Sequence, residues 1–228
     1  MDKQEMRALI REAVRDADLR LDEIPSIDLY LDQIISLTSE KRKEGSPRFF
    51  ERELTKTMIN NYSKDGLISP VKGKKYSKEQ IVQMLLVYEL KNTLSIGEIK
   101  RILQNVYAAS SPDDGMLQGV YSRFLDIKES EREGVCALVE TFVADHSLRP
   151  ENDADFFAML LGLASLSSYL KNAVQALLEA HYPDLSAEKE KEEQAKREQA
   201  KRQKEEKKAN AKAKKSESQT KKESEASE

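Results

Sequence analysis

One cysteine, Cys136, is all that the 228-residue chain contains. A lone cysteine closes no internal disulfide and gives no pairwise metal spacing. Its setting, Val135-Cys136-Ala137-Leu138, reads as a buried, inert thiol. Such usage fits a reducing cytoplasm. Histidine is as scarce: His146 and His181 stand far apart, with no His-Glu-x-x-His or Cys-x-x-Cys spacing. The eight glycines are scattered, so there is no Gly-rich loop to cradle phosphate, and no Gly-x-Ser-x-Gly elbow occurs. The acid groups Asp113-Asp114 and Asp153-x-Asp155 lie near expected helix starts. There a carboxylate complements the helix dipole, and neither group reads as a metal or acid–base pair. No cofactor and no metal is expected, and the chain is read as a non-enzyme.

Long apolar runs are missing too. Residues 1–5 lack a basic stretch leading into an apolar one, so no signal peptide is expected. The most apolar segment, 156–166, is short for a bilayer span and Lys171 follows it. It reads as a buried helix, and no membrane partner is expected.

Charge is abundant but unevenly placed. The formal net charge is −3. Residues 188–228 hold 14 Lys or Arg against 11 Asp or Glu, which leaves the remainder at −6. Overall charge is therefore a poor guide to partners, and local patches carry the electrostatic argument.

Four pieces are expected. Residues 1–23 form an amphipathic helical arm in which Leu9, Ile10, Ala13 and Val14 recur at helical spacing. Residues 24–106 form a first domain. Ile24-Pro25-Ser26 opens a short helix carrying Leu29, Leu31, Ile34, Ile35 and Leu37, and a polar loop follows over 39–47. A second helix spans about 55–65 and stops at Gly66, where a positive φ suits glycine. The stretch 69–76 is too short for a helix and suits a tight hairpin or wing. Ser77-x-x-Gln80 and Ser95-x-x-Glu98 are capping boxes that open two more helices. Residues 112–183 are all-helical, with helices expected near 113–127, 131–146 and 153–181. Residues 187–228 are low-complexity Lys, Glu, Ala, Gln and Ser with no aliphatic side chain larger than alanine. They read as a solvated single helix grading into disorder.

The second helix carries the functional signal. A helical wheel puts Leu54, Met58, Ile59 and Tyr62 on one side, and Lys56, Thr57, Asn60, Asn61, Ser63 and Lys64 on the other. The polar side holds no acid. Asparagine is a poor helix former, so two in mid-helix call for a reason. DNA supplies one: lysine neutralises phosphate, and an asparagine amide matches adenine in the major groove. Lys72, Lys74 and Lys75 crowd the adjoining turn. Residues 48–76 hold seven Lys or Arg and three acids, net +4 inside a body of net −6. Such a local reversal of sign is the footprint of a phosphate-facing surface. The bland alternative is the polar exterior of a helical bundle.

The order of these motifs resembles the MerR winged helix-turn-helix superfamily. Leu54 to Ile68 resembles its recognition helix and terminating glycine turn. Lys74-Lys75-Tyr76-Ser77 resembles its wing, and Leu94 to Leu103 its closing helix. Residues 24–103 also resemble an uncharacterised bacterial domain family related to MerR. The likeness implies an all-α, MerR-like winged helix-turn-helix with a small β-hairpin wing, then an all-helical region and a charged tail. Where MerR proteins carry arginine and two tyrosines in mid-helix, this chain has Asn60, Asn61 and Tyr62, and only Tyr62 is retained. The likeness implies a cytoplasmic DNA-binding transcriptional regulator. Lys56, Thr57, Asn60 and Asn61 would lie near base edges, and Lys64, Lys72, Lys74 and Lys75 on phosphates. Its partners would be double-stranded DNA and, through 112–183, a second copy of the chain or an effector. The rival is an adaptor that keeps the fold and binds protein instead.

Overall fold

The computed structural model describes residues 1–47, 53–71, 73–109 and 115–185. Residues Met1–Pro183 form one compact unit and Asp184–Glu228 another, of which all but Asp184 and Leu185 lie outside the described residues. Among the described residues there are seven helices and two short strands. These are α1 (Lys3–Ala13), β1 (Leu29–Tyr30), α2 (Leu31–Arg42), α3 (Lys56–Lys64), β2 (Lys75–Tyr76), α4 (Lys78–Leu90), α5 (Ile96–Ala109), α6 (Met116–Asp145) and α7 (Asp153–His181). The mostly helical class expected from sequence is observed.

The hub is α4. Its segment Ile81-Val82-Gln83-Met84-Leu85 is apolar on nearly every side, and Ile81, Val82, Met84 and Val87 are fully buried. A helix apolar all round belongs inside. Ser77 and Gln80 start it with the reciprocal bonds of a capping box. Around α4 the main core gathers Leu29, Ile34, Ile59, Tyr62, Leu67, Ile99 and Leu103 with Leu117, Tyr121 and Leu125 of α6 and Leu178 of α7. A smaller core joins Met6 of α1, Val139 of α6 and Met159 of α7.

The arm docks rather than frays, but it is helical only over Lys3–Ala13 and not to residue 23. Met6 is its buried anchor, Leu9 is exposed, and Lys3 and Arg7 both pair with Glu140 of α6. Beyond it, residues 14–18 carry Asp16 and Asp18 onto Lys128 of α6, which also pairs with Glu89 of α4 at 3.2 Å. Arg132, one turn on, donates to Asp16 O and Asp18 Oδ2. Burial opposes the charge on Lys128, but Glu89, Asp18 and the hydrogen bonds to Asp16 and Asp18 outweigh it and hold its pKa well above the usual lysine range. Burial pushes Glu89 up against the pull of Lys128.

Four further sequence expectations are corrected. Ile24-Pro25-Ser26 does not open a helix: Leu29 and Tyr30 are a strand, and α2 begins at Leu31 with Gln33 Oε1 accepting from the Tyr30 amide. The polar loop expected over 39–47 starts later, because α2 continues to Arg42, with Lys41 paired to Glu23 and Glu44. The break expected between 127 and 131 is absent. That stretch has no glycine or proline, and Lys128 and Arg132 anchor a continuous α6. Finally, 156–166 is not a buried helix of its own. It opens the 29-residue α7, where Met159 is buried but Phe157, Leu160 and Leu161 are exposed. Cys136 is a buried free thiol, as expected.

Candidate nucleic-acid interface

The second expected helix is α3, and its ends follow from its residues. Thr55 caps it, its hydroxyl accepting from the Met58 amide at 3.2 Å. Gly66 ends it at φ 71°. There the Leu67 amide donates to Tyr62 O and the Gly66 amide to Ser63 O, the paired bonds of a Schellman motif. Between those ends Ile59 and Tyr62 are buried, with Leu54 buried just before the cap. Lys56, Thr57, Asn60, Asn61 and Lys64 are all exposed. The inward turn of Tyr62 is costly: its hydroxyl is buried without a hydrogen-bond partner, and burial, with Tyr88 adding to it, pushes its pKa up to about 12.

The turn after α3 differs from the expected hairpin. The chain turns at Gly73, φ 85°, and β2 pairs antiparallel with β1, Leu29 opposite Tyr76 and Tyr30 opposite Lys75. A hairpin closed over 69–76 would need both partners within those eight positions. Instead Tyr76 turns inward beside Leu29, so its strand finds its partner far upstream. Two buried glutamines hold the approach to this turn. Gln83 accepts from the Ser69 amide at 2.8 Å and donates to its hydroxyl, and Gln80 donates to Ser69 O and Pro70 O, each at 3.1 Å. The bonds satisfy the two buried amide groups and fix the backbone that leads to the lysines.

These elements meet as one surface. Lys75 places its ammonium 4.9 Å from the centre of the Tyr30 ring, and Lys56 pairs with Asp32, two residues further on, at 2.6 Å. The end of β2, the start of α2 and the start of α3 are therefore neighbours. Beside the same polar side of α3 a groove of about 580 Å³ is lined by Asn60, Ser63, Ile68, Pro70, Tyr76 and Tyr107 among others. Seven of the eight candidate residues, Lys56, Thr57, Asn60, Asn61, Lys64, Lys74 and Lys75, lie exposed on α3 and this turn. Lys72 lies outside the described residues. Asp113 and Asp114 do as well, while Asp153 and Asp155 stand in the first turn of α7 behind its Asn152 cap.

Sequence reasoning missed three members. Asp32, a full helix away in sequence, brings an acid to a face that α3 alone keeps acid-free. Gln80 was visible as a capping residue but not as a clamp. Gln83, a polar side chain inside an otherwise apolar run, was a signal that could have been read.

A family model described as a domain of unknown function (DUF1836) matches residues 19–124. That span holds β1 to α5 and the first part of α6, and so every candidate residue. The description carries no link to the MerR superfamily. No curated protein and no solved structure matches the chain.

Proposed function

We propose that this chain is a cytoplasmic DNA-binding transcriptional regulator and that its 24–106 region works as a MerR-like winged helix-turn-helix. In this reading α3 enters the major groove. Asn60, Asn61, Thr57 and Lys56 approach base edges, where an amide can present a donor and an acceptor together. Lys64, Lys72, Lys74 and Lys75 hold phosphates and set the register. The turn at Gly73 takes the place of the wing. The helical region that follows, 112–183, dimerises, binds an effector, or both. The chemistry asked of the protein is recognition, with no catalytic step.

The observation that carries the reading is the division of α3. Every apolar residue that matters to it is turned into the core, and the outward remainder is two lysines, two asparagines and a threonine beside Lys74 and Lys75. A solvated face ordinarily mixes signs, and this helix carries no acid in its first turn. One observation favours the rival adaptor: Asp32 already neutralises Lys56.

Binding of full-length protein to random and own-promoter duplexes at two salt concentrations tests the proposal. Salt-sensitive binding that the Lys74→Ala/Lys75→Ala protein loses supports it. A folded protein that fails to bind at low salt, yet captures a protein partner in nuclease-treated lysate, makes it the adaptor.

A further inference from the structure

Among the described residues, the largest apolar surface left uncovered lies on α7. Tyr169, Leu170, Val174 and Leu177 are 68%, 60%, 43% and 71% exposed. They are not scattered. Met159, Leu163, Leu166, Leu170, Ala173, Leu177 and Ala180 follow one another at alternating steps of four and three, the heptad spacing of a coiled-coil seam. The first part of this seam is occupied by the chain itself, with Met159 and Leu163 packed in the smaller core beside α1 and α6. From Leu170 to Ala180 the same seam runs on exposed, with none of the described residues against it. Its flanking positions Ser167, Tyr169, Val174 and Ala176 carry no charge.

We infer that the uncovered end of this seam pairs with the same segment of a second copy, antiparallel, about a two-fold axis near residue 175. The residue sizes choose both occupant and direction. In that register Leu170 faces Ala180 of the second copy and Ala173 faces its Leu177, so every layer joins one leucine to one alanine. Alternating large and small side chains let facing layers interdigitate. A parallel pair would stack leucine on leucine and alanine on alanine, crowding one layer and leaving a gap in the next.

Two other occupants fit less well. The segment 187–228 has no aliphatic side chain larger than alanine to fill the seam. By length and composition α7 could cross a membrane, one 18-residue window of it having a mean hydropathy of 1.2. Its opposite face is tied to α5, however: Gln175 donates to Glu98 at 2.7 Å, and Arg101 donates to the carbonyls of Glu179 and Tyr182. Spanning would break those bonds and strand Lys171 and Glu179 in hydrocarbon. The uncovered seam from Leu170 to Ala180 is about 15 Å long. Such a contact belongs among interfaces below about 1,200 Å², so the dimer forms and dissociates with concentration. This inference does not depend on DNA binding.

Sedimentation velocity of the full chain over about 1–100 µM tests it. The expected result is a monomer–dimer equilibrium little changed by salt, and a folded monomer throughout for Leu170→Glu/Leu177→Glu, whose side chains already face solvent. Direction is read by disulfide capture in a Cys136→Ala background. Leu170→Cys mixed with Ala180→Cys should cross-link. Leu170→Cys alone should not, its two copies standing about 15 Å apart along the axis. A wild-type protein that stays monomeric, a dimer indifferent to the glutamates, or self-linking of Leu170→Cys would overturn the proposal. So would flotation of the wild type with phosphatidylglycerol vesicles that the glutamate variant loses.

Discussion

Helices α3 and α7 both present a face that the other described residues leave outward, and the two faces are opposite in kind. The face of α3 is lysine, asparagine and threonine, while that of α7 is leucine, valine, tyrosine and alanine. The difference teaches what each can hold. A basic face gains when a polyanion releases its counterions, so the DNA proposed as the partner of α3 would bind less tightly as salt rises. An apolar face gains by leaving water, so its partner is apolar and salt matters little. The DNA binding proposed for α3 and the self-association inferred for α7 should therefore respond to salt in opposite ways.

The comparison holds only while both faces ride on one folded body, and Lys128 is where that condition can be broken. It ties α6 to α4 and to the connection after α1 through three carboxylates. Lys128→Met strands Asp16, Asp18 and Glu89 together and should cost about 3 kcal/mol of stability in denaturant unfolding, with both surfaces failing together. Titration gives the same group a second signature. Its pKa is raised on folding, so its contribution is complete below the ordinary lysine pKa and is lost as pH rises through the folded value. Wild-type stability should therefore fall in alkali more steeply than that of Lys128→Met.

A smaller effect sharpens the contrast at α3. In the proposed DNA complex Asp32 would compete with phosphate for Lys56, and the pair is well exposed. Asp32→Asn should leave stability within about 0.5 kcal/mol and strengthen DNA binding roughly two- to threefold at low salt. Self-association should not change. Equal tightening of both would mean that the two surfaces are not independent.

The smallest effect concerns the buried side of α3. The Tyr62 hydroxyl is desolvated with no partner, so Tyr62→Phe should change unfolding free energy by less than about 1 kcal/mol, in the stabilising direction. A large loss would show that the hydroxyl makes a bond that the geometry does not contain.

What could be read from sequence was local. The bounds of α3, the stop at Gly66, the capping boxes at Ser77 and Ser95 and the span of α7 each depend on residues within a turn of one another, and each is observed. What could not be read was pairing at a distance. β2 finds β1 rather than a hairpin partner because burial of Tyr76 beside Leu29 outweighs proximity in sequence. Asp16 and Asp18 meet a lysine more than a hundred residues away, and no spacing announces that. The polar side of α3 was legible in full, but Asp32 was not, since it comes from another element. On α7, apolar composition suggested burial; whether a neighbour reaches an apolar face is a property of the fold.

The most direct test of the DNA-binding account is the salt dependence of binding to a random duplex, measured by fluorescence anisotropy. Wild type is compared with Lys56→Ala/Lys64→Ala/Lys74→Ala/Lys75→Ala. If these four lysines sit on phosphates, the slope of log affinity against log salt should drop by about 3 to 4, and low-salt affinity should fall at least a hundredfold. An unchanged slope in a variant shown to be folded would contradict the account and move the charged face of α3 to a protein partner.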